Sequence, residues 1–166
     1  MPIRIRARLL ALAALAASPA VAPAQAPSLQ LTTATAEAIV AGCKRHAQAR
    51  GQAQGVAVVD AGGAMVAALR MDGVVPGAMA FAIDKARAAS AWGWTTDQMG
   101  KMGGGGSGFD RAPSVVTMAG GVPLYSAEGK TLLGAAGASG QVPVDDVACV
   151  EAGIAAAGLR SVRAPR

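Results

Sequence analysis

The stretch Gly55-Val56-Ala57-Val58-Val59-Asp60-Ala61-Gly62-Gly63-Ala64-Met65-Val66-Ala67-Ala68-Leu69-Arg70-Met71-Asp72-Gly73 decides the fold. Two apolar runs flank Asp60-Ala61-Gly62-Gly63, where glycine supplies the positive φ of a tight reversal and the Asp60 carboxylate can bond the turn backbone. This predicts a β-hairpin. Its first run is apolar at every position from Val56 to Val59, the pattern of a strand covered on both faces. Its second run ends in Arg70-Met71-Asp72-Gly73, where charge appears abruptly as the chain leaves the sheet. Residues two apart on a strand end point the same way, so Arg70 and Asp72 can serve one site; a surface ion pair is the plainer reading of that spacing.

Upstream, Leu31-Thr32-Thr33 provides a cap for an Ala-rich run that reaches Arg50 and stops at Gly51. Ala36, Ile39, Val40, Cys43 and Ala47 recur at helical spacing and leave Lys44, Arg45, Gln48 and Arg50 to water. His46, the only histidine, flanks that stripe. Downstream, Pro76-Gly77 opens a helix over Ala78 to about Ala91, from which Lys85 and Arg87 project. Trp92-Gly93-Trp94-Thr95-Thr96-Asp97 breaks it, and Thr95 or Thr96 caps a short helix through Met102. Strands are predicted at Gly120–Tyr125 and Thr131–Ala138, with Met118 ending a further short one. The small residues of the Gly134–Ala138 run let a second backbone or a flat ligand come close. Asp145 caps a last helix from Val147 to about Leu159, and the tail through Arg166 is expected to fray.

A chain of 166 residues fits one domain with its own core. Apolar residues make up 52%, yet many are alanine and only 3% are aromatic, so the core must be built from small side chains packed closely. Part of the buried area is therefore expected from contacts between copies, as a homo-oligomer. Residues 1–26 have the parts of a secretory signal: arginines, an apolar stretch from Leu9 to Ala17, then small residues with Ala-x-Ala sites. The chain is expected to be periplasmic or secreted, with residues 27–166 as one domain and no later segment apolar enough to span a membrane. The formal charge of +5 falls to +2 without Arg4, Arg6 and Arg8. No basic stripe or row of stacking aromatics remains, which argues against nucleic acid.

Other chemistry is excluded by what is missing. Gly103–Gly108 formally satisfies G-x-G-x-x-G, but it follows a helix, whereas a dinucleotide site needs a strand before it. Gly137-Ala138-Ser139-Gly140-Gln141 falls short of a nucleophile elbow, and one histidine with two cysteines does not make a zinc tetrahedron. Cys43 and Cys149 sit on the first and last helices. In an oxidising compartment they can form a disulfide if those helices pack together, or remain two buried thiols.

Val56-Ala57-Val58-Val59-Asp60-x-x-Gly63, Arg70-Met71-Asp72-Gly73, Lys85-Ala86, Gly120-Gly121-Val122-Pro123-Leu124, Gly134-x-x-Gly137-x-Ser139-Gly140 and Asp145 followed by Ala152-Gly153 together resemble the GlcG/HbpS family of haem-binding or haem-degrading domains. That family extends to the C-terminal domain of PduO-type cobalamin adenosyltransferases. The resemblance implies an α/β fold, a profilin-like α/β/α sandwich around a central, mainly antiparallel, five-stranded sheet, assembling into oligomers. It also implies haem as the cofactor, with haem breakdown or iron sequestration in some members. One departure is plain: the family often reads Lys-Ala-x-Thr-Ala where this chain has Lys85-Ala86-Arg87-Ala88-Ala89, so that threonine hydroxyl is absent.

Two functions compete at this point. Haem is a flat apolar disc with two propionates, so it needs a slot, a cation and an iron ligand. Gly120, Gly121 and the Gly134–Ala138 run can supply the slot, Arg70 or Lys85 the cation, and His46 the metal ligand, with Met71 or Tyr125 as weaker alternatives. The rival is a binding module or lyase-like enzyme for a small organic acid, with Arg70 and Lys85 holding a carboxylate and Asp72 or Asp145 moving a proton.

Overall fold

A computed structural model describes residues 29–165. The expected signal sequence over residues 1–26 lies outside them.

The hairpin forms as the sequence predicts. Strands β1 (Gly55–Asp60) and β2 (Met65–Arg70) pair antiparallel, and the Asp60 carboxylate accepts the N–H groups of Gly62 and Ala64, each at 2.9 Å. Two later strands, β3 (Gly121–Tyr125) and β4 (Leu132–Ser139), complete a sheet in the order β2-β1-β4-β3, antiparallel throughout. The sheet has four strands among the described residues rather than five. The strand expected to end at Met118 is absent, and residues 115–120 run as an irregular approach to β3. β1 is central and buried along its length as far as Val59, which is what its unbroken apolar run requires.

Helices α1 (Thr33–Gln48), α2 (Pro76–Trp92), α3 (Thr96–Gly103) and α4 (Pro143–Ala156) flank the sheet. Alternation along the strands sorts the core into two layers. Val56, Val58, Val122, Leu124, Ala136 and Ala138 face α1 and α4, whereas Ala57, Val59 and Ala135 face Ala86 and Ala89 of α2. Thr32 caps α1 through its hydroxyl, and Thr95 with Gln98 forms a capping box on α3. α4 begins four residues earlier than expected, because Pro143 takes the first helical position, where its missing N–H costs nothing; Asp145 and Asp146 lie within the first turn rather than ahead of it.

The small residues of β3 and β4 are covered by helix α2 itself. A Cβ at Gly137 would strike the Ala82 carbonyl and lie 2.7 Å from the Ala86 nitrogen, and one at Gly121 would strike the Lys85 carbonyl. The slot expected for a flat ligand over Gly121 and Gly134–Ala138 is therefore filled by backbone. The outer edge of β3 is also closed: Gly121 N–H donates to Thr96 Oγ1 (2.9 Å), Pro123 has no N–H, and Tyr125 N–H donates to the Arg160 carbonyl (2.8 Å). That last bond and Ala164 N–H to the Gly129 carbonyl (2.9 Å) tie down the tail that composition marks as frayed.

Cys43 and Cys149 form a disulfide between α1 and α4, so the open choice between a bridge and two thiols falls to the bridge. It closes a loop with a sequence separation of 106. In the chain-entropy account such a loop is worth about 4–5 kcal/mol. Reduction, or the double substitution C43S/C149S, is expected to lower unfolding free energy by up to that amount, read as a fall in urea midpoint together with a steeper slope, because the released chain expands further on unfolding; equal midpoints with and without reductant would refute it.

Candidate functional site

The strand registers carry most of the sequence candidates to one end of the sheet. Arg70 lies opposite Gly55, Gly55 opposite Ser139, and Gly121 opposite Gly137. At the β2 corner Arg70, Met71 and Asp72 line a cleft of about 370 Å³ together with Lys44, Gln48 and Gln52. Arg70 and Asp72 do share this site, but they make no ion pair; Arg70 Nη1 donates instead to the Val74 carbonyl at 3.1 Å. Met71 turns inward, its side chain against the α1/α4 core and its sulfur accepting the Gln54 N–H at 3.4 Å. Two cations, Lys44 and Arg70, face one carboxylate across a polar hollow. Such a lining suits a small anion better than an apolar disc.

Lys85 is not part of that cleft. The sequence places it on the exposed side of its helix; in the structure it is fully buried. Its Nζ donates to Asp146 Oδ2 at 2.8 Å and to the Ala138 carbonyl at 3.1 Å, and lies 4.8 Å from the centre of the Phe81 ring. The side chain starts on α2, on one face of the sheet, and ends on α4, on the other. It passes Gly120, whose φ is +129° and where a Cβ would lie 2.7 Å from Nζ and 2.6 Å from the Ala138 carbonyl. Gly120 thus clears a path for a lysine rather than a bed for a ligand. Asp146 is completed by Gln141 N–H on Oδ1 at 3.1 Å. Of the two cations expected to hold a carboxylate, only Arg70 is open to one.

His46 sits near the end of α1, half-buried, over the first turn of α4. Burial and the neighbouring Arg50 guanidinium lower its pKa from 6.5, against a smaller opposing pull from Asp145. Arg50 Nη1 lies 3.3 Å from Nδ1, and a guanidinium can only donate, so Nδ1 accepts and the neutral ring carries its proton on Nε2. Nε2 is buried with no partner among the described residues, as are Gln52 Oε1 and both amide atoms of Gln54. Asp145 accepts Gln52 Nε2–H at 2.8 Å. Iron ligation through His46 Nε2 requires the other tautomer, and hence requires Arg50 to let go of Nδ1.

A second cleft, of about 400 Å³, lies at the opposite end of the sheet and collects residues that sequence reading used only as punctuation. Trp92, Trp94, Pro123, Tyr125, Leu132 and Arg163 are among its walls. Trp92, Trp94 and Phe109 form one cluster, with ring centres 5.0 to 6.0 Å apart. Tyr125, the weaker metal candidate, is buried and its hydroxyl donates to the Gly93 carbonyl at 3.0 Å. The available signal was the pairing of both tryptophans in Trp92-Gly93-Trp94, in a chain with five aromatic residues.

Residues 31–155 match the family of haem degrading proteins described as HbpS-like. The chain belongs to this family. Among solved structures it is similar to a double mutant of Streptomyces reticuli HbpS, with 27% identity over 84% of this chain and 97% of that one and a TM-score of 0.73. It shares its fold with a PduOC:haem complex (23% identity, 81% of this chain and 100% of that one, TM-score 0.72) and with Klebsiella pneumoniae ORFY (22%, 82% and 97%, TM-score 0.74). No curated protein sequence matches.

Two outcomes follow from this geometry. Asp146→Ala strands a buried ammonium and is expected to cost about 3–5 kcal/mol, whereas the double replacement K85M/D146L removes both charges and should recover most of the loss; urea midpoints that fell equally in both would contradict the pairing. Because folding lowers the His46 pKa, its contribution to stability is complete above pH 6.5 and is lost as pH falls through the lower folded value. Thermal midpoints should therefore decline on acidification through that window, and less so in His46→Gln.

Proposed function

We propose that this chain is an exported haem-binding protein of the HbpS-like family. The single observation that carries the reading is the family match over residues 31–155. Export is supported by the tripartite pattern of residues 1–26 and by the Cys43–Cys149 bridge, which belongs in an oxidising compartment. No helix among the described residues is long and apolar enough to cross a membrane. Haem brings its own iron chemistry when bound, and haem breakdown or iron sequestration would draw on it. The chain's part is to supply a slot, a cation for the propionates and an iron ligand; His46 Nε2, buried and unpartnered among the described residues, would serve as that ligand once Arg50 releases Nδ1.

The polar cleft of Lys44, Arg70 and Asp72 favours a second reading, a site for a small organic acid. There Arg70 would grip the carboxylate in a fork and Lys44 would act as a point charge. Asp145, already tied to Gln52, stands one residue further in.

Both readings are tested on one plate. Hemin added to the purified protein is expected to give a saturable, sharpened Soret band and a raised melting temperature. A free-hemin spectrum at every ratio would overturn the haem reading, and stabilisation by small carboxylates but not hemin would replace it with the second.

A further inference from the structure

We infer that the hollow at the Trp94 end of the sheet is a second binding site, for a small planar acid: an aryl carboxylate of one or two rings, stacked on the tryptophans and gripped by Arg163. This site is separate from the haem reading and from the Arg70 corner. Neither the sequence motifs nor the family match assigns a ligand to it.

The first observation is where the large side chains are placed. The core is starved of aromatics, yet Trp92 and Trp94 stay 37% and 36% exposed, side by side in the lining of one hollow. Phe109 packs against both, and Tyr125 adds a third ring to the lining. Leaving indole faces to water forgoes burial that this chain could use, and a flat ligand restores it by stacking.

The second is that the rings are held before any ligand arrives. Trp92 Nε1–H donates to the Pro113 carbonyl at 3.2 Å and meets Phe109 edge-on, with 75° between the planes. Tyr125 is fixed by its bond to the Gly93 carbonyl, and Gly93, at φ +64°, ends α2 so that Trp94 can turn back beside Trp92. A wall ordered in advance loses little entropy on binding.

The third is charge. Aromatic walls attract cations, but here a cation is already part of the wall. The Arg163 guanidinium lies 5.9 Å from the centre of the Tyr125 ring and makes no ion pair among the described residues. Backbone bonds from Arg160 to Tyr125 and from Ala164 to Gly129 hold the tail on either side of it. The lining contains no carboxylate. A second cation would meet repulsion, whereas an anion carrying a π-face meets both a stacking surface and a guanidinium fork.

Size and polarity narrow the ligand further. The hollow, about 400 Å³, lies near the lower end of the roughly 300–1,000 Å³ of small-molecule sites, which suits one or two rings and not a macrocycle. Thr95, Gln98 and Ser161 make its lining partly polar, and the Tyr125 hydroxyl is spent on the Gly93 carbonyl, so nothing in it is open to iron. At the Arg70 corner no aromatic ring lines the cleft, and Asp72 competes for the cations.

The test is a calorimetric titration with 2-naphthoate, 2-naphthamide and 2-naphthylmethylammonium, in the wild type and in Trp94→Leu, Trp94→Phe, Arg163→Gln and Arg70→Gln. Melting temperature and solution mass are checked first for each variant. The chain has two tryptophans, both in this lining, so their two indole N–H resonances report on this hollow alone. Saturable binding of 2-naphthoate that shifts both resonances is expected. It should weaken roughly tenfold in W94L and in R163Q, survive largely in W94F and be unchanged in R70Q. The neutral amide should bind more weakly and equally well to wild type and R163Q, and the ammonium compound should not bind. Should W94L melt early, R163Q alone decides, since it keeps the aromatic wall intact. Absence of 2-naphthoate binding, binding indifferent to R163Q, binding lost in R70Q, or equal binding of the ammonium compound would each overturn the assignment. A W94L protein that falls from oligomer to monomer would also overturn it, by showing that a second copy covers the hollow. None of these outcomes bears on the haem reading, which the Soret titration decides separately.

Discussion

The structure depends on how closely helix α2 lies on the sheet. With few large side chains available, the chain brings backbone to backbone, and the carbonyls of Ala82 and Lys85 rest where side chains of β4 and β3 would otherwise stand. An alanine methyl buries little, about 0.8 kcal/mol for a group of that size, so many close contacts must replace a few large ones. Interiors tolerate no slack of this kind, because even a single added carbon at Gly137 or Gly121 meets a carbonyl. The same close approach explains why the floor of the sheet is no ligand bed: whatever approaches it, α2 is already there.

The two ends of the sheet consequently carry different chemistry. At the β2 corner the chain leaves the sheet through Arg70-Met71-Asp72, meets the polar end of α1, and makes a hollow lined by Lys44, Gln48 and Gln52. At the far end, α2 stops at Gly93, the aromatic residues come forward, and the returning tail places the Arg163 guanidinium 5.9 Å from the centre of the Tyr125 ring. One end is lined mainly by charged and amide side chains; the other has π-faces beside a single cation in its lining.

Much of this fold could be read from residue order alone. The hairpin, the capped first helix, the break at Trp92-Gly93-Trp94 and the covered β1 strand all follow from local signals, since periodicity and turn residues act over short distances. Contacts between distant segments could not be read. Nothing local marks Lys85 as buried, because its carboxylate partner is on another helix, with a sequence separation of 61. The Arg70 corner was half legible: spacing placed Arg70 and Asp72 together, but Lys44 and Gln52 join them only through packing. The tail was misread because a stretch of Arg, Ser, Val, Ala and Pro carries no sign of the backbone bonds that β3 extends to it. The missing fifth strand has a related cause, since an apolar run such as Val115-Val116 has strand composition whether or not a neighbour is free to pair with it.

The lysine that crosses the sheet has a consequence for how the molecule comes apart. Sandwiches of this kind can in principle shed one helical layer while the other stays docked, since each layer packs on its own face. Here the layer formed by α2 holds the charge that α4 needs, and the reverse holds too. Peeling away either side breaks the pair and leaves its remaining member without the partner that compensates its burial. Opening of one layer alone therefore carries a penalty in the other, so in a thin, alanine-rich interior this pair couples the two layers.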